Sequence, residues 1–134
     1  MESFIASNWI RPALYQQPLE NGTVKCQLCP HQCVLHEGKT GLCHTRQNIN
    51  GVLYTLAYGN PCSANLDPIE KKPLFHFLPG SKIFSIATAG CNFKCLNCQN
   101  WEISQNSPQE LSHYDFLPEA VVELASNRHI ASIA

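Results

Sequence analysis

The sequence predicts an α/β chain in which a Cys-rich, hairpin-containing N-terminal segment, residues 1–80, precedes the start of a parallel βα core, residues 81–134. Three observations predict it. Asn50-Gly51, ahead of the strand-like run Val52–Tyr58, is the signature of a type I′ hairpin turn. The β-forming run Ile83, Phe84, Ile86 is followed by a helical pattern opening on Pro118 and by a second apolar stretch, His129–Ala134. Strand, helix, strand is the order of a βαβ crossover, which pairs its strands in parallel. Lastly, seven of the eight cysteines fall in two groups, Cys26, Cys29, Cys33 and Cys43, then Cys91, Cys95 and Cys98.

A length of 134 residues sets a ceiling of one domain, with a modest core. Nine basic against ten acidic residues give a net charge of -1, with no basic stripe, so a nucleic-acid partner held through its phosphates is excluded. No run reaches the roughly eighteen continuous apolar residues of a membrane span. The first residues lack the basic start and apolar core of an export signal. A cytoplasmic, reducing setting is therefore expected, and closely spaced reduced thiols there point to metal rather than to disulfides.

Taken in order, residues 1–25 read as an irregular arm interrupted by Pro12 and Pro18. It ends in an Asn21-Gly22 turn and a short strand, Thr23–Lys25. Residues 26–46 carry the first cysteine group, with Gly38 and Gly41 marking a tight loop. Four thiols there suit a closed tetrahedral zinc site or an iron–sulfur cluster, with His31, His36 and His44 as alternate ligands. The plain reading is a metal staple for a core-poor segment, with no chemistry of its own. Cys62 stands alone and reads as a small buried hydrophobe. Pro68 and Pro73 bracket a polar loop, Ile69–Lys72, and Asp67, Lys71 and Lys72 are read as a solvated turn. His76 has no assigned role. After the strand at 82–87, residues 102–115 read as loop, and a helix runs from Pro118 to a stop at Asn127, with Val121, Val122, Leu124 and Ala125 on its apolar face. The unfinished crossover implies that the chain is the N-terminal part of something longer.

Cys91, Cys95 and Cys98 are spaced C-x3-C-x2-C directly after Gly90. A straight helix would spread the outer two by about 10 Å, so the three must curl round their cargo on a loop. Zinc in a structural site takes four ligands, whereas only three are local here. A [4Fe–4S] cluster on three cysteines keeps one iron open.

That motif after a first strand resembles the cluster motif of the radical S-adenosylmethionine (SAM) enzymes. The resemblance extends to one subgroup through Cys26–Cys33, Gly41–Arg46, Asp67–Phe77, and Gly90–Cys95 continuing to Cys98–Gln105. The subgroup is the AmmeMemoRadiSam-system radical SAM enzymes, relatives of the pyruvate formate-lyase activating enzymes. The resemblance implies a partial (β/α) barrel, with Cys91, Cys95 and Cys98 holding a [4Fe–4S] cluster whose open iron binds SAM. It implies reductive cleavage of SAM to a 5′-deoxyadenosyl radical and hydrogen abstraction from a substrate left open, a partner protein's glycine being one option. An electron donor such as ferredoxin or flavodoxin is implied too. The family commonly has an aromatic before the third cysteine, where this chain has Asn97. The later SAM contacts of the family lie beyond residue 134, so this stretch alone is expected to be inactive. The competing expectation is a non-enzymatic zinc scaffold with two Cys sites, taking its missing ligand from Cys62 or His113. Phe93 and Trp101 are expected as core packing beside the loop.

Overall fold

The computed structural model describes residues 8–134. The beginning of the N-terminal arm, with most of the stretch read as lacking an export signal, lies outside the described residues.

Among the described residues, nine short strands form three three-stranded sheets. The first joins β1 (Arg11–Pro12), β6 (Val52–Thr55) and β5 (Arg46–Ile49), in the order β1-β6-β5. Its centre is the predicted hairpin. Asn50 (φ 54°) and Gly51 (φ 78°) both adopt the positive φ that a type I′ turn demands, and Ile49 pairs with Val52 across it. The second sheet, β2-β3-β4, comprises Gln16–Pro18, Val24–Cys26 and Val34–Leu35, all antiparallel. The arm is thus not irregular throughout: β1 and β2 are edge strands, where a proline's missing N–H breaks no ladder.

The third sheet orders β7 (Ser63–Pro68), β8 (Lys82–Ala87) and β9 (Ser132–Ile133). β7 pairs antiparallel with β8 over six residues, and β8 pairs in parallel with β9, with Ile83 opposite Ser132. The sheet draws one strand from before residue 80 and two from after it. Between β8 and β9 come a four-residue helix, α1 (Trp101–Ser104), inside the stretch expected as loop, and α2 (Pro118–Asn127). Proline sits in the first turn of α2 and Glu119 beside the positive end of its dipole. Val121 and Ala125, one turn apart, are its buried positions. Val122 points to solvent, because only the i, i+4 stripe faces inward.

The core under the first two sheets is Ala13, Val24, Cys26, Leu35 and Leu53, with Cys33 packed on it. Ile69, Ile83 and Phe84 are buried at the third sheet, and Phe84 meets Phe116 edge to face. Each fully buried aliphatic side chain contributes about 1.5–3 kcal/mol. Asn48 is buried among them and satisfied on both ends. Its Nδ2 donates to the carbonyls of Gly22 and Leu35, both at 2.8 Å, and its Oδ1 accepts from the Gly51 N–H. Gln16 stitches the two sheets likewise, donating to the Ala13 carbonyl and accepting from the Leu53 N–H. No helix among the described residues is long and apolar enough to cross a membrane.

Candidate metal centre

The second cysteine group is delivered by the end of β8. Gly90 leaves the strand with φ 90°, its N–H bonded to the Ile103 carbonyl, and residues 91–100 follow without regular structure. Cys95 and Cys98 close a turn through a Cys98 N–H to Cys95 carbonyl bond. Cys91 and Cys98 are half-buried, and Cys95 is exposed. The Phe93 N–H lies 3.4 Å from Cys91 Sγ, and the Ser104 hydroxyl 3.5 Å from Cys98 Sγ. Phe93 and Trp101 are exposed rather than core packing. The loop stands out from the sheet, so its aromatics have nothing to bury against.

The first cysteine group sits beside it. Cys26, Cys29, Cys33 and Cys43 all line one cavity of about 410 Å³, and Cys91 lines it too. Cys26 ends β3 and faces Cys33 across the ladder, its N–H donating to the Cys33 carbonyl at 2.8 Å. The Sγ atoms of Cys33 and Cys43 are each 3.8 Å from the point where a Cβ on Gly41 would lie. Cys43 Sγ is 3.1 Å from Thr45 Oγ1, and the Arg46 guanidinium is 3.7 Å from Cys26 Sγ while donating to the Leu14 carbonyl. The sequence assigns no role to Thr45 and Arg46, although both fall in the Gly41–Arg46 run beside Cys43.

Three contacts join the two groups. Gly90 packs on the Cys43 carbonyl, His31 donates from Nε2 to the Asn92 carbonyl at 2.8 Å, and Lys94 Nζ reaches His44 Nε2 at 3.3 Å. His36 is engaged elsewhere, with Thr23.

All eight cysteines are free. As the side chains stand, no three Cys, His, Asp or Glu groups among the described residues converge closely enough to hold a metal ion. The donor chemistry nonetheless fits: both groups consist of soft thiols, no cysteine of the second group (the clamp) is fully buried, and the Phe93 N–H points at the sulfur of Cys91. Cys62 and His113 line a separate small pocket with Ser112 and Tyr114, with no clamp cysteine among its walls. Burial pushes the Cys62 thiol above its ordinary pKa, the mark of an inert structural thiol.

Among curated proteins, the chain is 50% identical over 116 residues to the uncharacterized protein MJ0808 of Methanocaldococcus jannaschii, a match covering 87% of this chain and 35% of that protein. It is 31% identical over 101 residues to the uncharacterized protein MJ0674 of the same organism, covering 72% of this chain and 25% of that one. The chain therefore spans about a third of the length of the first of these relatives, at 35%, and less of the second. No protein-family model matches. No solved structure matches either.

Proposed function

We propose that this chain is the cluster-binding portion of a radical SAM enzyme, with Cys91, Cys95 and Cys98 as the ligands of a [4Fe–4S] cluster in a cytoplasmic protein. The observation that carries the reading is the delivery of three free thiols, spaced C-x3-C-x2-C, by one loop that leaves a parallel-paired strand through Gly90. When bound, such a cluster supplies the electron that cleaves SAM to a 5′-deoxyadenosyl radical, for hydrogen abstraction from a substrate. The residues of this chain hold and tune. The three thiolates would hold the cluster, the Phe93 N–H would support the Cys91 sulfur, the Ser104 hydroxyl lies beside that of Cys98, and Gly90 turns the chain without obstructing the neighbouring loop. The chain spans 35% of its relative MJ0808, so SAM binding, the substrate and an electron donor such as ferredoxin or flavodoxin belong to the longer protein in this proposal.

Anaerobic reconstitution with iron and sulfide tests the reading. The wild-type chain is expected to turn brown, with iron and sulfide in equal amounts, and Cys95→Ala to lose that signal. A Cys95→Ala protein that keeps all of its iron, or a clamp that takes stoichiometric zinc in preference to iron and sulfide, would sink it.

A further inference from the structure

We propose that Cys26, Cys29, Cys33 and Cys43 form a second, closed site that takes a single zinc ion and braces the Gly90–Asn92 backbone. This goes beyond the cluster reading and does not depend on it. The placement of the four thiols carries it. Cys26 and Cys33 are direct cross-strand partners at the end of the β3–β4 ladder, so their Cβ atoms stand about 5 Å apart on one face of the ladder. Two thiolates at about 2.3 Å from a shared zinc need sulfurs slightly under 4 Å apart, which that spacing permits by side-chain rotation alone. In a cubane each thiolate sits on a different iron and the sulfurs are held further apart, so facing cross-strand cysteines favour the single ion. Cys43 approaches from the next loop, its sulfur and that of Cys33 each 3.8 Å from the point where a Cβ on Gly41 would lie. Cys29 supplies the fourth thiol from the turn between the two strands, closed by the Gln32 N–H on its carbonyl. Four thiolates leave no open position, which is the composition of a structural zinc site.

The surroundings agree. Cys26 and Cys33 belong to the first core cluster, so the ion would close the open side of a core that has only short strands around it. Four thiolates on a dication carry a net negative charge, and Arg46, already directed at Cys26 Sγ, faces it. The bracing follows from the contacts between the loops. The Cys43 carbonyl supports Gly90, the His31 ring holds the Asn92 carbonyl, and Cys91 lines the same cavity. Cys43 and His31 lie within the loops the ion would fix, so order in those loops passes to the residues around Cys91.

The test removes the clamp. The chain carrying Cys91→Ser, Cys95→Ser and Cys98→Ser, expressed with zinc and kept reduced, is expected to hold about one equivalent of zinc by elemental analysis. Adding Cys26→Ser and Cys33→Ser to it should remove the metal. Cobalt in place of zinc should give the thiolate charge-transfer and tetrahedral ligand-field bands of a tetrathiolate site. If those variants do not fold, the same metal is read on the wild-type chain as a single-zinc mass increase in native mass spectrometry. Absence of zinc from folded protein, equal iron and sulfide at these four cysteines, or zinc that survives loss of Cys26 and Cys33 would each overturn the site. For the bracing, chelating zinc from the wild-type chain should speed amide exchange at residues 90–94 by about tenfold or more. Unchanged exchange there would reject the bracing role. A chain that fails to assemble the iron cluster yet still binds zinc separates this inference from the cluster reading.

Discussion

Gly90 lies so close to the Cys43 carbonyl that a Cβ on residue 90 would collide with that oxygen and with the Thr45 methyl group. Its φ of 90° is, independently, a conformation that L-residues resist. The glycine is therefore required both by its own backbone and by the loop it touches. Gly90→Ala is expected to cost about 2–4 kcal/mol, combining overpacking against a backbone atom with left-handed strain. A urea titration should show a lower midpoint with unchanged slope. A change within about 0.5 kcal/mol, the range of an ordinary surface substitution, would mean that the two loops are not in contact.

Asn48 is the polar hub of the first core. Truncation to alanine leaves the buried Leu35 carbonyl and the partly exposed Gly22 carbonyl and Gly51 N–H without their partner, and an orphaned buried group costs about 1–3 kcal/mol. Asn48→Ala should therefore lose about 2 kcal/mol or more. Asn48→Asp should be no better, since a carboxylate cannot donate to the two carbonyls. Thermal unfolding of the two variants checks this. An Asn48→Asp protein as stable as wild type would show that the donor half of the side chain is dispensable.

How much of this was legible in the sequence depends on how local the cause is. The β5–β6 hairpin was legible because Asn50 and Gly51 carry the turn in their own φ preferences, and α2 because Pro118 and Asn127 mark its ends. The clamp thiols were legible by spacing alone. β7 was not: Ser63–Pro68 is a polar run, and only its six-residue pairing with β8 makes it a strand. The buried roles of Asn48 and Ile69 and the exposure of Phe93 and Trp101 were hidden for the same reason, since burial is settled by what folds back over a residue. For the candidate site, the sequence separates two cysteine groups by forty-eight positions, from Cys43 to Cys91 by way of β5 to β8, and nothing in the spacing says that Cys91 shares a cavity with the first group.

Ile69 makes that point quantitative. It belongs to the short 3-10 turn Ile69–Lys71, flanked by charged residues, yet it is fully buried and its N–H bonds the Ser81 carbonyl. Ile69→Ala is expected to destabilise by about 2–5 kcal/mol through lost transfer energy and the cavity left behind. Substituting the exposed Lys71 with alanine should cost no more than about 1 kcal/mol, the worth of its exposed ion pair with Asp67. Parallel denaturant titrations decide it: equal effects at the two positions would contradict the burial of Ile69.

Asp67 supplies the pH dependence. Its Oδ1 is 2.9 Å from the Lys71 ammonium and its Oδ2 is 3.9 Å from that of Lys72. The Lys71 hydrogen bond leads in holding the carboxyl below its ordinary 3.8. A carboxyl depressed in the folded state binds its proton less readily there than in the unfolded chain. Its stabilisation is thus present in full above the unfolded pKa and is lost as pH falls through the lower, folded one. The difference in stability between wild type and Asp67→Asn should be constant at neutral pH, shrink once the pH drops below 3.8, and vanish at lower pH. Lys71 is largely exposed, so the difference should also shrink in high salt. Urea midpoints for the two proteins across that pH range provide the check. A gap that widens on acidification would show that Asp67 is destabilised by its surroundings instead of held by the two lysines.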